Sequence, residues 1–167
     1  MKKPLENRIA STAPSNADGA VLRQYLLDLT LHGIKLGFHN ITHLLKAAGQ
    51  PQMAYPTVHV AGTNGKGSVV ALLAGILQSS GYRTARFTSP HLIDLTERFL
   101  LDGQPIPEAA LMENIAFFRK ASARLEHPPT FFEMCTAIAF RWFAQEKPDV
   151  AIIEVGMGGR LDATNMV

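Results

Sequence analysis

The sequence has little of what defines several large classes of protein. It holds one cysteine among 167 residues, so no internal disulfide framework is available to it. Its net charge of +2 at pH 7 gives no global attraction to nucleic acid. Its apolar runs are much shorter than the roughly 20 residues that cross a bilayer, and its two early lysines precede no apolar block typical of a signal peptide. We therefore expect a soluble cytoplasmic protein that uses neither nucleic acid nor membrane.

The composition favours a single folded domain behind a polar leader. An apolar content of 47% in 167 residues is enough to fill one core. Residues 1–19 are polar and carry no periodic apolar pattern, so we expect a flexible leader there. The rest of the chain shows neither repeats nor low-complexity tracts.

Helix and strand signals alternate along residues 20–167. Apolar spacing predicts helices at residues 20–32, 41–48, 108–126 and 130–147. Another helix, ending at Gly81, is predicted from apolar residues at offsets 0, 3, 4, 7 and 8, namely Val69, Leu72, Leu73, Ile76 and Leu77. Short β-rich runs predict strands at "TVHVA", "YRTARFT" and "DVAIIEVG", and "ERFLLDGQPI" predicts a hairpin at Asp-Gly. This order predicts a three-layer α/β fold with a mostly parallel sheet.

The stretch "GTNGKGS" lies between a predicted strand and a predicted helix, as a phosphate-binding loop does. Glycines let backbone N–H groups approach phosphate oxygens, and the helix N-terminus adds positive charge beneath them. A lysine then supplies a point charge for the β- and γ-phosphates. We expect the ATP-binding residues to be Gly62, Thr63, Asn64, Gly65, Lys66, Gly67 and Ser68, with Lys66 in the catalytic role.

Two further polar residues follow predicted strands. Glu154 ends an apolar strand, which places its carboxylate at the sheet edge where Mg²⁺ on nucleotide phosphates needs an oxygen ligand. Ser89 follows another strand in "FTSPHL" and brings a hydroxyl to the same edge, although Ser-Pro alone is only a turn signal.

These motifs together resemble the folylpolyglutamate synthase and dihydrofolate synthase family, the folate branch of the Mur ligases. The resemblance is carried, in order, by "IKLGFHNITHLLKAAGQP", "GTNGKGS", "TSPHL" with "ERF", "TFFE" and "EVGMGGRLDATN". It covers almost everything after the leader. Gly67, where a Walker A loop has a hydroxyl, matches the folate branch's form of the loop.

The resemblance implies an ATP-dependent amide ligase. In this family ATP phosphorylates a carboxylate of dihydropteroate or of a folate, and the amine of L-glutamate displaces phosphate. The resemblance further implies Ser89 and Glu154 as Mg²⁺ ligands, and Thr130, Phe132, Asp162 and Ala163 as the lining of a pterin pocket. Phe132 suits stacking on a flat ring, and Asp162 suits hydrogen bonds from ring N–H groups.

Several of these residues have a structural alternative. Thr130 and Glu133 form a T-x-x-E capping box, so we assign Glu133 to structure and leave Thr130 open. Phe132 is equally typical of a core position. Cys135 shares a helical face with apolar residues and is expected to be a core thiol. The role of His91 in "TSPHL" is open.

Family members continue beyond the last of these motifs, with further strands, a histidine metal ligand, a carbamylated lysine and a second domain. We therefore expect an N-terminal part of the ATP-binding domain that is inactive alone, from an enzyme that is a monomer. Two other functions stay open: a Mur-type ligase acting on a cell-wall precursor, and a non-catalytic nucleotide-binding module.

Overall fold

The fold is a five-stranded sheet with helices on both faces, in a computed structural model that describes residues 16–33 and 37–167. The α-helices are α1 (Asn16–Asp28), α2 (His39–Ala47), α3 (Lys66–Ser79), α4 (Glu108–Ser122) and α5 (Phe131–Glu146). The strands are β1 (Thr57–Val60), β2 (Thr84–Phe87), β3 (Phe99–Leu101), β4 (Gln104–Pro105) and β5 (Val150–Glu154). Short 3₁₀ helices occupy Leu29–His32, Pro51–Met53 and Leu95–Arg98.

The strand order is β1-β5-β2-β3-β4. The apolar strand β5 pairs in parallel with β1 on one side and with β2 on the other. Strands β3 and β4 complete the sheet as an antiparallel hairpin. Its turn places Asp102 at φ 48° and Gly103 at φ 80°, the positive values that a two-residue hairpin requires. The predicted Asp-Gly hairpin is confirmed.

Most of the core lies on one face of the sheet, between the strands and helices α1, α2, α4 and α5. Its largest fully buried side chains include Phe87, Phe99, Phe118, Phe140 and Phe143. Helix α3 covers the other face over a small cluster of Val60, Val70, Ala74 and Ile152. The predicted three-layer α/β fold with a mostly parallel sheet is therefore confirmed.

The face of α3 that packs on the sheet differs from the predicted one. Val70 and Ala74 are buried, whereas Val69, Leu72 and Ile76 are 44%, 68% and 62% exposed. Apolar residues occur nearly all round this helix, so periodicity alone does not select the face that meets the strands. Of the predicted apolar stripe, Leu73 and Leu77 do pack against the cluster on the sheet. The prediction was wrong for Val69, Leu72 and Ile76.

Some element boundaries also differ from the predicted ones. Helix α1 begins at Asn16, so residues 16–19 of the predicted leader form its first turn, and residues 1–15 lie outside the described part. Residues 34–36 of the glycine-spaced connection also lie outside it. Helix α4 ends at Ser122, so Leu125 follows the helix instead of continuing its apolar face.

Cys135 is fully buried on α5, and burial raises the pKa of its thiol to about 12. A thiol with that pKa stays protonated at physiological pH, which suits the predicted core role. Among the described residues, no helix is long and apolar enough to cross a membrane.

Candidate active site

Three loops with polar residues meet at one edge of the sheet. Strands β1, β5 and β2 are parallel neighbours and end at Val60, Glu154 and Phe87. The glycine-rich loop follows β1, the 155–165 loop follows β5, and Ser89 follows β2. In open α/β sheets the carboxyl ends of the strands form the ligand-binding edge. The predicted juxtaposition of these segments is therefore present.

The glycine-rich loop exposes backbone N–H groups at the start of α3. Gly65 caps the helix at φ 76°, a left-handed conformation that glycine adopts without a steric penalty. The first backbone bond into the helix runs from Val69 N to Gly65 O at 3.0 Å. The amides of Lys66, Gly67 and Ser68 consequently have no backbone acceptor within the described chain. Together with the helix dipole they form a cradle for an anion.

Glu154 connects the ends of β5 and β2. The residue is 5% exposed, and its Oε2 accepts a hydrogen bond from the backbone N–H of Ser89 at 2.9 Å. Its Oε1 faces Gly67, where an added Cβ would lie 4.0 Å from the oxygen, and it accepts no hydrogen bond from the described residues. A buried carboxylate with one unpartnered oxygen fits a cation.

The donor set at this point fits Mg²⁺ in particular. The described residues contain no group of three or more His, Cys, Asp and Glu side chains placed to hold a metal. Mg²⁺ is usually bound through one or two protein oxygens together with substrate phosphates and waters. Glu154 Oε1 and the Ser89 hydroxyl supply such a pair, beside the anion cradle.

Two cavities open at this edge. The first, of about 370 Å³, is lined by six of the predicted site residues and by Arg98, Glu133 and Leu161 among others. The six are Lys66, Ser89, Thr130, Phe132, Asp162 and Ala163. The second, of about 440 Å³, lies along the glycine-rich loop and the start of the 155–165 loop, with Gly62, Thr63 and Lys66 in its wall. Neither wall includes Asn64, Gly65, Gly67, Ser68 or Glu154.

Thr130 and Glu133 form the predicted capping box at the start of α5. The Thr130 hydroxyl accepts from Glu133 N at 3.1 Å, and Glu133 Oε2 accepts from Thr130 N at 2.7 Å. Glu133 is thus held by the helix start, as predicted. The Thr130 hydroxyl hydrogen stays available to a ligand, because the capping bond uses the oxygen only as an acceptor.

The Asp162 carboxylate is already engaged by its own loop. Oδ2 accepts from Met157 N at 2.7 Å, and Oδ1 accepts from Thr164 N at 2.9 Å as well as from the Thr164 hydroxyl. The Thr164 hydroxyl also contacts His59 Nε2 at 2.9 Å. These bonds fix the loop after β5, a role that the sequence pattern did not indicate. Its predicted part in substrate binding stays a prediction.

Phe132 is pressed between the end of β5 and the core. Its ring centroid lies 5.9 Å from that of Phe87. An added Cβ on Gly156 would lie 2.5 Å from its Cζ and 2.9 Å from both Cε atoms. The glycine is therefore required because the backbone passes directly over the ring. Phe132 has a structural contact on this side and lines the first cavity as well.

Replacing Gly156 with alanine is expected to destabilise the protein by about 1–3 kcal/mol, because the Phe132 ring must leave its place. Denaturant unfolding of the two proteins measures the difference. Gly75→Ala is the matched control: it lies in α3 with nothing within 4 Å of the added Cβ, so it should be neutral or stabilising. Equal stability of Gly156→Ala and wild type would contradict the close packing.

Arg98 and His91 are site residues that sequence reasoning did not assign. Arg98 ends the 3₁₀ helix before β3 and is 7% exposed. Its Nε donates to His91 Nδ1 at 2.8 Å, and its guanidinium lies 5.2 Å from the centroid of the Phe131 ring. His91 thus accepts through Nδ1 and holds Arg98 in place. The "ERF" motif contributes to the family resemblance, but the residues around its arginine carry no local signal of burial.

No protein-family model matches the chain. In sequence it is 43% identical to folylpolyglutamate synthase from Lacticaseibacillus casei, over 80% of this chain and 32% of the relative. It is 41% identical to dihydrofolate synthetase from Saccharomyces cerevisiae, over 80% of this chain and 31% of the relative.

In structure it matches Escherichia coli FolC in complex with DHPP and ADP, with a TM-score of 0.80 and 40% identity. That match covers 87% of this chain and 36% of the FolC chain. The chain therefore spans about a third of the length of the relatives it matches. The resemblance to the folylpolyglutamate synthase and dihydrofolate synthase family is confirmed over that third.

Proposed function

We propose that the chain is the nucleotide-binding part of an ATP-dependent ligase that adds L-glutamate to dihydropteroate, to folates, or to both. The observation that carries the proposal is the shared wall of the two cavities. Lys66 lines both the second cavity, along the glycine-rich loop, and the first, mainly apolar one. A phosphate bound on the loop and an acid bound in the first cavity would therefore meet at one ammonium group.

The chain's own residues suit the phosphoryl-transfer half of this reaction. The free amides at the start of α3 and the Lys66 ammonium hold phosphate oxygens and neutralise charge that shifts during transfer. Ser89 and Glu154 would hold Mg²⁺, which supplies further neutralisation of the phosphates when it is bound. Glu154 is itself fixed by the Ser89 N–H, so its free oxygen stays turned towards Gly67.

The first cavity suits the acid substrate. Its wall combines an aromatic ring, apolar side chains and few polar groups, with Phe132, Leu161 and Ala163 among the apolar members. Such a cavity accepts a flat heteroaromatic ring and orients it by a small number of hydrogen bonds. The Thr130 hydroxyl and the Asp162 carboxylate are the candidate partners for that ring.

The proposal also covers the cellular setting. We propose a cytoplasmic enzyme that is monomeric and binds no nucleic acid. The single cysteine and the net charge of +2 support this setting.

The experiment uses the gene product as the cell makes it, incubated with MgATP, L-glutamate and either dihydropteroate or tetrahydrofolate. Mass spectrometry detects a glutamyl adduct, and ADP release gives the matching signal. Product from dihydropteroate establishes the synthase activity, and product from tetrahydrofolate establishes polyglutamate extension. No product from either acid contradicts the proposal and favours a Mur-type ligase for another acid or a binding module without turnover.

A further inference from the structure

We propose that Arg98 binds the carboxylate of the acid substrate, the group that receives the phosphoryl group in the first step. The inference rests on the proposed function and adds a binding residue to it. It starts from a buried guanidinium in the wall of the first cavity, whose terminal nitrogens have no partner in the described chain.

The guanidinium is held rigidly on two sides. Its Nε donates to His91 Nδ1 at 2.8 Å. One face lies over the Phe131 ring, 5.2 Å from the ring centroid, in cation–π geometry. A planar group fixed at its Nε and on one face has little rotamer freedom left to lose on binding a ligand.

The two Nη groups have no hydrogen-bond partner, and Arg98 forms no ion pair, within residues 16–33 and 37–167. Arg98 is only 7% exposed, so solvent does not replace the missing partners fully, and it lines the first cavity. Burial lowers the pKa of its guanidinium, which marks the cost of removing the charge from water. The Glu154 carboxylate partly opposes that shift through space, but it forms no ion pair with Arg98 and its Oε2 is bound to Ser89 N. Arginine stays protonated in proteins, so a buried guanidinium without a partner calls for an anion.

The carboxylates in the cavity wall do not supply that anion. Glu133 is bound to the backbone of Thr130 in the capping box. Asp162 is bound to Met157 N and to Thr164. The wall of this cavity thus contains two cations, Arg98 and Lys66. It also contains two acids, but their carboxylates already accept hydrogen bonds from backbone N–H groups. The cavity consequently attracts a negatively charged ligand.

The position of Arg98 indicates that it binds the acid substrate and not the nucleotide. Arg98 lines the first, mainly apolar cavity and not the one along the glycine-rich loop. Lys66 lines both. An anion held by Arg98 therefore lies on the acid-substrate side of Lys66. The planar guanidinium fork matches a carboxylate, which has two oxygens at the spacing of two N–H groups.

In the step itself, one carboxylate oxygen attacks the terminal phosphorus of ATP. A new O–P bond forms while the bond from that phosphorus to the bridging oxygen of ADP breaks, and ADP leaves with the electron pair. Arg98 holds the carboxylate during this transfer. The amine of L-glutamate then attacks the acyl carbon, the bond from that carbon to the phosphate oxygen breaks, and inorganic phosphate leaves with the electron pair while the nitrogen loses a proton to solvent. No oxidation state changes in either step.

The test measures dissociation constants with the gene product as the cell makes it, in the presence of a non-hydrolysable ATP analogue and Mg²⁺. Two probes are titrated by fluorescence: dihydropteroate, which carries the carboxylate, and 6-hydroxymethylpterin, which does not. Arg98→Gln is expected to weaken dihydropteroate binding about 10- to 100-fold and to change 6-hydroxymethylpterin binding less than about twofold. Arg98→Lys, which keeps the charge but not the fork, should fall between wild type and Arg98→Gln.

Arg124→Gln is the matched control, because Arg124 is exposed and lines neither cavity. It should bind both probes as wild type does. Equal weakening of both probes in Arg98→Gln would mean that Arg98 only supports the cavity wall, which overturns the inference. Unchanged binding of dihydropteroate by Arg98→Gln also overturns the inference. The proposed function then still stands, provided that the wild-type protein makes product. A wild-type protein that neither binds dihydropteroate nor makes product refutes the proposed function and the inference together.

Discussion

Replacing Lys66 with alanine is expected to lower kcat/KM for ligation by about 10³-fold, the loss typical of removing a preorganised charge from a phosphoryl-transfer site. The free energy of unfolding should change by less than about 0.5 kcal/mol. The two effects separate because of where the side chain lies. Among the described residues its Nζ donates only to Gly62 O, at 3.0 Å, on an exposed part of the loop. The folded state gains little from that bond, whereas the ammonium group lies in the wall of both cavities.

Steady-state kinetics and denaturant unfolding of the same preparations check this prediction. Lys46→Ala is the control, since Lys46 is exposed in the last turn of α2 and lines neither cavity. It should keep wild-type kinetics. Calorimetry with a non-hydrolysable ATP analogue should show weaker binding in Lys66→Ala. A Lys66→Ala enzyme with wild-type kcat/KM would remove the glycine-rich loop from the reaction.

The strands and turns of the fold were predictable because their signals are local. The apolar run of β5 needs a sheet with neighbours on both sides, and it lies between β1 and β2. The Asp-Gly turn and the T-x-x-E capping box each depend on a few adjacent residues, and both occur as predicted. The position of Glu154 beside Ser89 also followed from one rule, that parallel strands end at a common edge.

The packing of α3 was not predictable in the same way. Its buried residues are Val70 and Ala74, small side chains that bring the helix close to the strands. The larger Leu72 and Ile76 point to the exposed side. When a helix is apolar on several faces, the shape of the sheet determines which face packs against it. That shape depends on residues far away in the chain.

Arg98 and Asp162 show why part of the site also escaped prediction. Arg98 is buried by Phe131, 33 residues later in the chain, and by the local turn that contains His91. Asp162 turns its carboxylate back to Met157 N and Thr164 N, so its bonds depend on the path of the loop. Residue type and spacing place such groups at an edge of the sheet, but they do not say which partners satisfy them.

The two glutamates near the first cavity, Glu154 and Glu133, provide the second prediction with a large effect. Glu154→Gln is expected to lower kcat by about a hundredfold and to raise the Mg²⁺ concentration needed for half-maximal rate. The amide keeps the size of the carboxylate, and its oxygen still accepts the Ser89 N–H, so the fold should be retained. What is lost is the negative charge on the oxygen that faces Gly67.

Glu133→Gln is the matched control, because Glu133 also lies at the cavity wall but is bound to Thr130 N at 2.7 Å. It should lose up to about 1 kcal/mol of unfolding free energy through the weaker capping bond, with an unchanged Mg²⁺ requirement. Rate against Mg²⁺ concentration and denaturant unfolding, measured on both variants, separate the two roles. If Glu133→Gln raised the Mg²⁺ requirement and Glu154→Gln did not, the metal would belong to the start of α5 instead of the end of β5. The opposite pattern assigns the metal to Glu154, because the two substitutions remove the same charge and differ only in what surrounds it.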